Sequence, residues 1–215
     1  MCDTHDHDRS SLVPGMYPAF EECVRFHGHA CPGLATGYRV AVAAMQALCV
    51  ARPYDEELVA IAETDACGVD AIQMVTGCTA GKGNLIIRDY GKHAFTFISR
   101  EQGKAVRVLV AHEDMPEREE MGLLRGKVFS DTATDAERER FYALMKAATD
   151  RILMMPADEV VTVRSVSIEP PAKARIFTSV PCALCGEPVA DAKTRTLDGE
   201  RVCIPCYDAR GPAGS

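Results

Sequence analysis

The chain of 215 residues combines 47% hydrophobic with 26% charged residues, a composition typical of folded proteins rather than disordered ones. Its 31 Asp and Glu against 24 Lys and Arg give a formal charge of -7, which argues against binding nucleic acid or anionic lipid through bulk charge. No apolar stretch reaches the ~20 residues of a bilayer span and the first residues are polar and acidic, so the sequence predicts a cytoplasmic protein without membrane contact. Thiols stay reduced in that compartment, and the 10 cysteines therefore indicate metal or reactive sites.

The cysteines form two groups, separated by the interval from Cys78 to Cys182. Pro170 and Pro171 precede the second group, and a proline pair is typical of a stiff, extended connector. The sequence therefore predicts two folded parts. The expected divisions are a flexible tail over residues 1–15, a core over 16–170, a linker over 171–177 and a small module over 178–215.

The first half of the core alternates helical and strand patterns. Residues 17–26 predict a short helix, and the apolar segment from Cys31 to Leu48 predicts a mostly buried second helix. Leu58–Ala62 is a compact apolar run of strand length, and the segment 69–75 soon after it predicts a third helix. The order is therefore two helices, a strand, a turn and a helix.

Three further strands are expected at Asn84–Tyr90, Ala94–Ser99 and Val106–Ala111, with Gly91 and Gly103 in the turns between them. Consecutive strands joined by short glycine turns are typical of an antiparallel meander. The pattern therefore predicts that these three strands pair in sequence order.

The rest of the core is expected to form two helices and a final strand. Acidic residues favour a helix start at 116–120, and residues 135–153 carry apolar side chains at helical spacing. The β-branched segment 160–166 predicts the last strand. Together these elements indicate an α+β fold, with helices packed on a mainly antiparallel sheet.

Two Cys-x-x-Cys pairs stand near the end of the chain, separated by 17 residues. The four cysteines are Cys182, Cys185, Cys203 and Cys206. This double spacing is characteristic of a structural zinc site in which four thiolates surround one ion. Two disulfides or a redox dithiol are the alternatives, and a reducing compartment disfavours them. The module has few apolar residues, so we expect a zinc-ribbon-like fold that requires its metal.

The core holds a second concentration of metal-binding side chains. His27, His29 and Cys31 lie within five positions beside two glycines, and imidazole with thiolate suits a borderline-soft metal such as zinc. Two histidines at a helix end and a buried cysteine are the alternative. Cys31 and Cys67 each precede a predicted helix, where partial positive charge favours thiolate over thiol.

Cys78, Asp70 and Lys82 are further candidates for the same pocket. A straight helix from residue 68 to 77 would separate Cys67 from Cys78 by roughly 16 Å, so the two cannot then bind one ion. Either the helix ends early or Cys78 belongs to another part of the pocket. Asp70 and Lys82, the latter in a glycine-rich turn, are candidates for orienting an anionic ligand, although a simple tight turn is an equal alternative.

Two family resemblances follow from these motifs. The segments Phe26–Leu34, Gly37–Arg39, Cys67–Gln73 and Thr76–Leu85 resemble the FmdE family of formylmethanofuran dehydrogenase-associated proteins, over most of residues 16–170. That resemblance implies an α+β core, a homodimer, and a His/Cys pocket that holds zinc. The family takes its name from an association with a molybdenum or tungsten enzyme.

The small C-terminal module over residues 178–215 resembles a different family. Residues 185–189 together with the second cysteine pair are similar to the zinc finger of the DksA/TraR type. That resemblance implies zinc in the finger. It does not extend to a transcriptional role, because the long coiled-coil arm on which that role depends has no counterpart here.

Three functional hypotheses remain open at this point. The first is a zinc metalloprotein whose pocket binds a small anionic ligand or substrate, with an open coordination position that can activate water. The second is an accessory or regulatory module whose zinc finger contacts a protein partner. The third is thiol chemistry at Cys31 or Cys67. Whether the chain is an enzyme is left undecided by its sequence.

Overall fold

The computed structural model describes residues 17–111, 118–173 and 177–210. The chain divides after Lys173 into two compact units. The tail expected over residues 1–15 and the middle of the expected linker lie outside the described residues. None of the described helices has the length and apolar character needed to cross a bilayer.

Three helices build the part of the first unit that carries the site. They are α1 (Phe20–His27), α2 (Pro32–Leu48) and α3 (Gly68–Thr76). Helix α1 begins three residues later than expected, because Ala19 is its N-cap and its N–H donates to the Glu22 carboxylate (2.8 Å). It ends at Gly28, whose positive φ of 100° stops the helix and turns the chain toward α2.

A five-stranded sheet lies against these helices. Its strands are β1 (Leu58–Ala62), β2 (Leu85–Ile87), β3 (Ala94–Ser99), β4 (Lys104–Val110) and β5 (Val161–Val166), in the spatial order β2-β1-β3-β4-β5. All neighbouring strands are antiparallel except β1 and β2, which are parallel. The α+β fold with a mainly antiparallel sheet is confirmed.

The expected three-strand meander is wrong for its first strand. Strand β2 pairs with β1 rather than with β3, because β1, α3 and β2 form a crossover unit that places parallel strands side by side. The segment after β2 then passes the end of β1, where the N–H groups of Tyr90 and Lys92 both donate to the Glu63 carbonyl (3.0 Å each). Strand β3 therefore reaches the opposite side of β1.

The main core lies between the sheet and α2. Leu34, Met45 and Leu48 of α2 are buried with Phe97 and Val108 of the sheet. Helix α2 contacts α3, α5 and strand β4, so it is the central element of the first unit. The packing of α2 in the core therefore fixes the position of its N-terminal end, where Cys31 lies.

The remaining helices of the first unit are α4 (Arg118–Phe129), α5 (Asp135–Met154) and α6 (Ala157–Val160). Helices α4 and α5 pack against each other through a separate apolar cluster that includes Met121, Leu124, Phe141 and Leu144. Helix α5 begins with a capping box in which the Glu137 N–H donates to the Thr134 hydroxyl (3.3 Å). The pair forms a helical hairpin whose second helix also contacts α2.

The second unit contains two β-hairpins and a helix. Strands β6 (Ser179–Pro181) and β7 (Pro188–Ala190) form the first hairpin, and β8 (Thr194–Leu197) and β9 (Glu200–Cys203) form the second. Helix α7 (Ile204–Arg210) follows β9. The buried core consists of Cys182, Val202 and Cys203 with a few partly buried neighbours, so the unit has little apolar surface with which to stabilise itself.

Candidate metal centres

The four cysteines of the second unit lie together. The sulfur atoms of Cys182, Cys185, Cys203 and Cys206 are all within 4.8 Å of one another. One pair lies in the turn between β6 and β7, and the other lies where β9 enters α7. Two separate hairpins thus deliver four sulfurs to one point, as a closed tetrathiolate site requires.

The first cysteine of this cluster is surrounded by backbone donors. The N–H groups of Cys185 and Cys203 lower the pKa of Cys182 to about 6, and the Cys203 N–H donates to its sulfur (3.3 Å). Donation of this kind favours the thiolate, which is the form that binds metal. The neighbouring thiols raise the pKa of Cys206 to about 12 and also raise that of Cys185, so the cluster has the number and chemistry of a metal site, and a bound ion would displace the protons of these two thiols.

A second cluster lies in the first unit. One ligand atom each from His27, Cys31 and Cys67 lie within 4.8 Å of one another. His27 is the last residue of α1, and Cys31 and Cys67 are the N-cap residues of α2 and α3. Three helix ends therefore converge on this point, although the residues are separated by up to 40 positions in the chain.

Two glycines allow helices α2 and α3 to approach so closely. A Cβ on Gly37 would lie 2.1 Å from the carbonyl oxygen of Gly68, far inside van der Waals contact. A Cβ on Gly68 would lie 3.2 Å from the Cα of Gly37. The N-terminal turns of the two helices are therefore in backbone contact, and this contact brings Cys31 next to Cys67.

The imidazole of His27 is held by a carboxylate. Its Nδ1 donates to Asp70 Oδ2 (2.7 Å), and the other Asp70 oxygen accepts from the Gln73 amide (3.2 Å). Because an ionised carboxylate can only accept, this bond places the proton on Nδ1 and leaves the Nε2 lone pair available. Nε2 is buried and has no hydrogen-bond partner among the described residues.

An unpartnered buried nitrogen beside two thiols fits a metal ion. A buried polar atom without a partner costs free energy, and a bound ion would remove that cost. The arrangement of carboxylate, histidine and ligand is the one by which proteins orient a metal-binding imidazole. The donor set of one imidazole and two thiols is one that zinc accepts.

Cys31 is less acidic than its helix position suggests. Burial raises the pKa of its thiol, although the Leu34 N–H donates to the sulfur (3.3 Å) and opposes that rise. The thiol of Cys67 nearby raises the pKa further. In the metal-free protein, burial therefore opposes the stabilisation of the Cys31 thiolate that was expected from the helix N-terminus. A metal ion would have to displace the proton.

The cluster opens onto a large cleft. The cleft has a volume of about 1570 Å³, and Cys31 and Cys67 lie in its lining together with His29 and His93. His29 is exposed, and its ring centroid lies 4.6 Å from that of His27. It is outside the group of three but faces the same space. A ligand in the cleft would thus meet both thiols and two imidazoles.

The structure does not bring Cys78 to this cluster. Helix α3 runs to Thr76 and separates Cys67 from Cys78. Cys78 is fully buried, and its thiol donates to the Leu58 carbonyl (3.3 Å). Burial raises the pKa of Cys78 to about 11, so the residue is a neutral thiol in a packed interior.

The two candidates for binding an anionic ligand have other contacts. Asp70 lies beside the cluster, but its carboxylate accepts from His27 and Gln73. Lys82 donates through Nζ to the Asp55 carbonyl (3.2 Å) and is absent from the lining of the cleft. The glycine-rich turn closes around the buried Asn84, which accepts from the Thr79 N–H (2.9 Å).

Sequence reasoning named Asp70 as a candidate for binding a ligand but missed its contact with His27, and it missed Glu63 and Arg107 altogether. The role of Asp70 as the partner of His27 could have been suspected, because it lies in the first turn of α3, three positions after Cys67. The ion pair between Glu63 and Arg107, which borders the turn leading to Cys67, had no local signal. It joins residues 44 positions apart in sequence.

Comparison with known proteins gives matches to both units. Residues 26–162 match the family model described as FmdE, molybdenum formylmethanofuran dehydrogenase operon. Residues 175–210 match the prokaryotic DksA/TraR C4-type zinc finger.

Two individual relatives cover most of the chain. A probable S-adenosyl-L-methionine-binding protein from Archaeoglobus fulgidus is 34% identical over 188 residues, which are 84% of this chain and 50% of that protein. The chain thus spans about half the length of this curated relative. The crystal structure of an FmdE-like protein of the tungsten formylmethanofuran dehydrogenase type, from Syntrophus aciditrophicus, matches with a TM-score of 0.54 and 27% identity, over 88% of this chain and 92% of that one.

Proposed function

The chain belongs to the FmdE family and ends in a C4-type zinc finger, and from that premise we propose that it is a zinc protein whose core cleft binds a small anionic ligand or substrate. In this proposal one ion is held by the four cysteines of the finger and a second by His27, Cys31 and Cys67. The observation that carries the second site is the clustering of His27 with two thiols, together with a buried Nε2 that has no hydrogen-bond partner among the described residues.

The core site differs from the finger in having three protein ligands. A zinc ion with three protein ligands has a fourth coordination position that is open to water or a ligand. When zinc is bound, it acts as a Lewis acid on the group at that position. Asp70 holds the proton on His27 Nδ1 and orients the ring, while Cys31 and Cys67 face the cleft through which a ligand enters. In this proposal, a ligand that enters the cleft would bind to the zinc ion at the end lined by Cys31 and Cys67.

Metal content of the full chain tests this proposal. We expect two zinc ions per wild-type chain and one per Cys67→Ser chain, because the variant loses one of three core ligands while the finger keeps its four. Substitution with Co²⁺ should show the same difference as a loss of thiolate-to-metal absorption. A Cys78→Ala chain is the matched control and should retain two ions, since Cys78 lies outside the cluster. If Cys67→Ser binds as much metal as the wild type, the core site is refuted.

A second candidate function is that of an accessory protein of a formylmethanofuran dehydrogenase-like molybdenum or tungsten enzyme, docked through the finger. The names of the family and of the solved relative support it. So do Leu184 and Ile204, which lie one in each Cys-x-x-Cys pair and are 38% and 37% exposed. Exposed apolar side chains beside metal ligands are suited to a protein contact.

Binding to a purified enzyme of that class tests the second candidate. The double variant Leu184→Ser/Ile204→Ser should keep its zinc and lose the complex in a pull-down. Phe177→Ser, an exposed apolar position of the same unit outside the two pairs, should keep both. An unchanged complex with the double variant would exclude the finger as the docking surface.

The homodimer implied by the family resemblance also stays a prediction. Sedimentation equilibrium of the full chain measures it directly.

A further inference from the structure

One wall of the cleft is a single face of helix α4. Its lining residues recur at the spacing of one helix face: Arg118, Met121, Gly122, Arg125 and Phe129. The neighbouring face of the same helix packs on α5 through Leu124 and Val128. One face of α4 therefore packs against α5, and the adjacent face borders the cleft.

The floor of the cleft is apolar. Phe141, Met145 and Leu153 of α5 line it, and Phe95 and Val110 of the sheet continue the same surface. The volume of about 1570 Å³ exceeds the ~300–1,000 Å³ of sites for drug-sized molecules. The cleft thus suits a long apolar ligand better than a compact polar one.

Two of the three cations of α4, Arg118 and Arg125, have no ion pair within the described part of the chain, whereas Lys127 pairs with Glu137. Five other charged residues line the cleft: Lys146 and Asp150 pair with each other at 2.6 Å, and Glu21, Arg25 and Glu159 belong to α1 and α6. Two guanidinium groups that have no ion pair among the described residues, at the wall of a partly apolar cleft, attract a carboxylate, which a guanidinium binds bidentately.

We infer that the cleft binds an elongated amphipathic anion, with its apolar chain along α5 and its carboxylate at Arg118 or Arg125. This inference rests on the proposed function, since it concerns an anionic ligand of the same cleft, and it replaces the small ligand proposed there with a longer one, a long-chain carboxylate. Arg118 and Arg125 are two helical turns apart, about 10 Å, so they can meet an acidic group at either of two depths.

Titration of the metal-loaded full chain with laurate, below its critical micelle concentration, tests the inference by calorimetry. We expect one laurate per chain and binding at least tenfold weaker for Arg118→Glu/Arg125→Glu. The double variant Arg88→Glu/Lys104→Glu makes the same change of charge at exposed positions outside the cleft and should bind within twofold of the wild type. Dodecyltrimethylammonium, a cation of the same chain length, should not bind.

A pair of glycine variants tests the apolar part without changing charge. Gly122 lies in the lining and Gly126 does not, and a Cβ at either position meets nothing within 4 Å. Gly122→Phe should therefore block laurate, while Gly126→Phe should leave its affinity unchanged. The inference is overturned if Gly122→Phe binds laurate as tightly as Gly126→Phe does, or if the wild type binds dodecyltrimethylammonium as tightly as laurate.

Failure of this inference is distinguishable from failure of the metal proposal. Cys67→Ser should lose core metal and still bind laurate, because the guanidinium groups and the apolar floor are intact. Metal content without laurate binding would refute the ligand class alone. A dimer in which a second copy fills the cleft would also refute the inference. It would be recognised by sedimentation as a dimer that does not bind laurate and that dissociates in Arg125→Glu.

Discussion

The two nitrogens of His27 have different roles. Nδ1 is bound to Asp70, and Nε2 is buried beside Cys31 and Cys67 without a partner among the described residues. A partner on one imidazole nitrogen fixes the tautomer and orients the other nitrogen toward a metal ion, so Asp70 is the residue that would strengthen the proposed ligation by His27.

Replacing this carboxylate should weaken the core metal site without abolishing it. For Asp70→Asn we expect a loss of about 10- to 100-fold in zinc affinity, since an amide no longer fixes the Nδ1 proton. Competition with a chromophoric chelator measures the affinity of each site. Asp65→Asn, an exposed carboxylate of the same turn, is the control and should bind zinc like the wild type. Unchanged affinity in Asp70→Asn would mean that His27 is not a ligand.

The ion pair of Glu63 and Arg107 should make stability depend on pH. Hydrogen bonds from Arg107 lower the pKa of Glu63, one of them between Nη2 and Oε2 at 2.9 Å. A carboxyl group with a lowered folded pKa stabilises fully above its unfolded pKa of about 4.3, and this contribution disappears as the pH falls through the folded value.

Glu63→Gln measures that contribution. We expect the variant to be less stable than the wild type by about 1.5–3 kcal/mol at pH 7, the range for hydrogen bonds to charged groups. The difference should shrink below about pH 4 as Glu63 of the wild type becomes protonated. Urea unfolding at a series of pH values gives both numbers. A difference that stays constant down to pH 2 would contradict the assignment.

At the scale of elements, the approach of α2 to α3 determines the core site. Each helix contributes one cysteine from its N-cap, and the backbone contact of Gly37 with Gly68 holds the two ends together. Neither position can take a side chain without moving a helix, because the atoms that a Cβ would meet belong to the backbone.

A methyl group at this contact should separate the helices. For Gly37→Ala we expect a loss of about 1–3 kcal/mol in the free energy of unfolding, the usual cost of overpacking, together with weaker core metal binding. Gly126→Ala in α4 is the control, and it should raise the free energy of unfolding. A Cβ there meets nothing within 4 Å, and alanine favours the helix over glycine by about 1 kcal/mol. Thermal unfolding and metal titration of both variants check the prediction.

At the scale of the whole molecule, the two units have different sources of stability. The first unit has a large apolar core built on α2 and the sheet, whereas the second buries Val202 and two of its cysteines. A unit with so small a core depends on its metal for folding. Loss of the finger metal should therefore affect only one of the two units.

Cys185→Ser tests this difference. We expect the second unit to unfold, seen as collapse of its amide resonances to the random-coil region, because three thiolates bind the ion too weakly to replace a core. The thermal transition of the first unit should remain, since its core contains residues of that unit only. A shared loss of both transitions would show that the finger metal stabilises the first unit as well.

Local signals in the sequence determined much of this protein. Helix α2, strands β1 and β3 and the four cysteines of the finger follow from apolar runs, turn residues and a double Cys-x-x-Cys spacing, all of which act within a few residues. The α+β class follows because such elements have few ways to bury their apolar faces.

Only the tertiary structure decided which distant residues meet. The position of β2 beside β1 depends on the crossover through α3, and the separation of Cys78 from the cluster depends on α3 remaining helical to Thr76. The pairing of Asp70 with His27 needs α1 to pack on α3, and the approach of Cys31 to Cys67 needs a backbone contact between two glycines 31 positions apart. Such contacts are set by packing over the whole core, and no window of the sequence contains both partners.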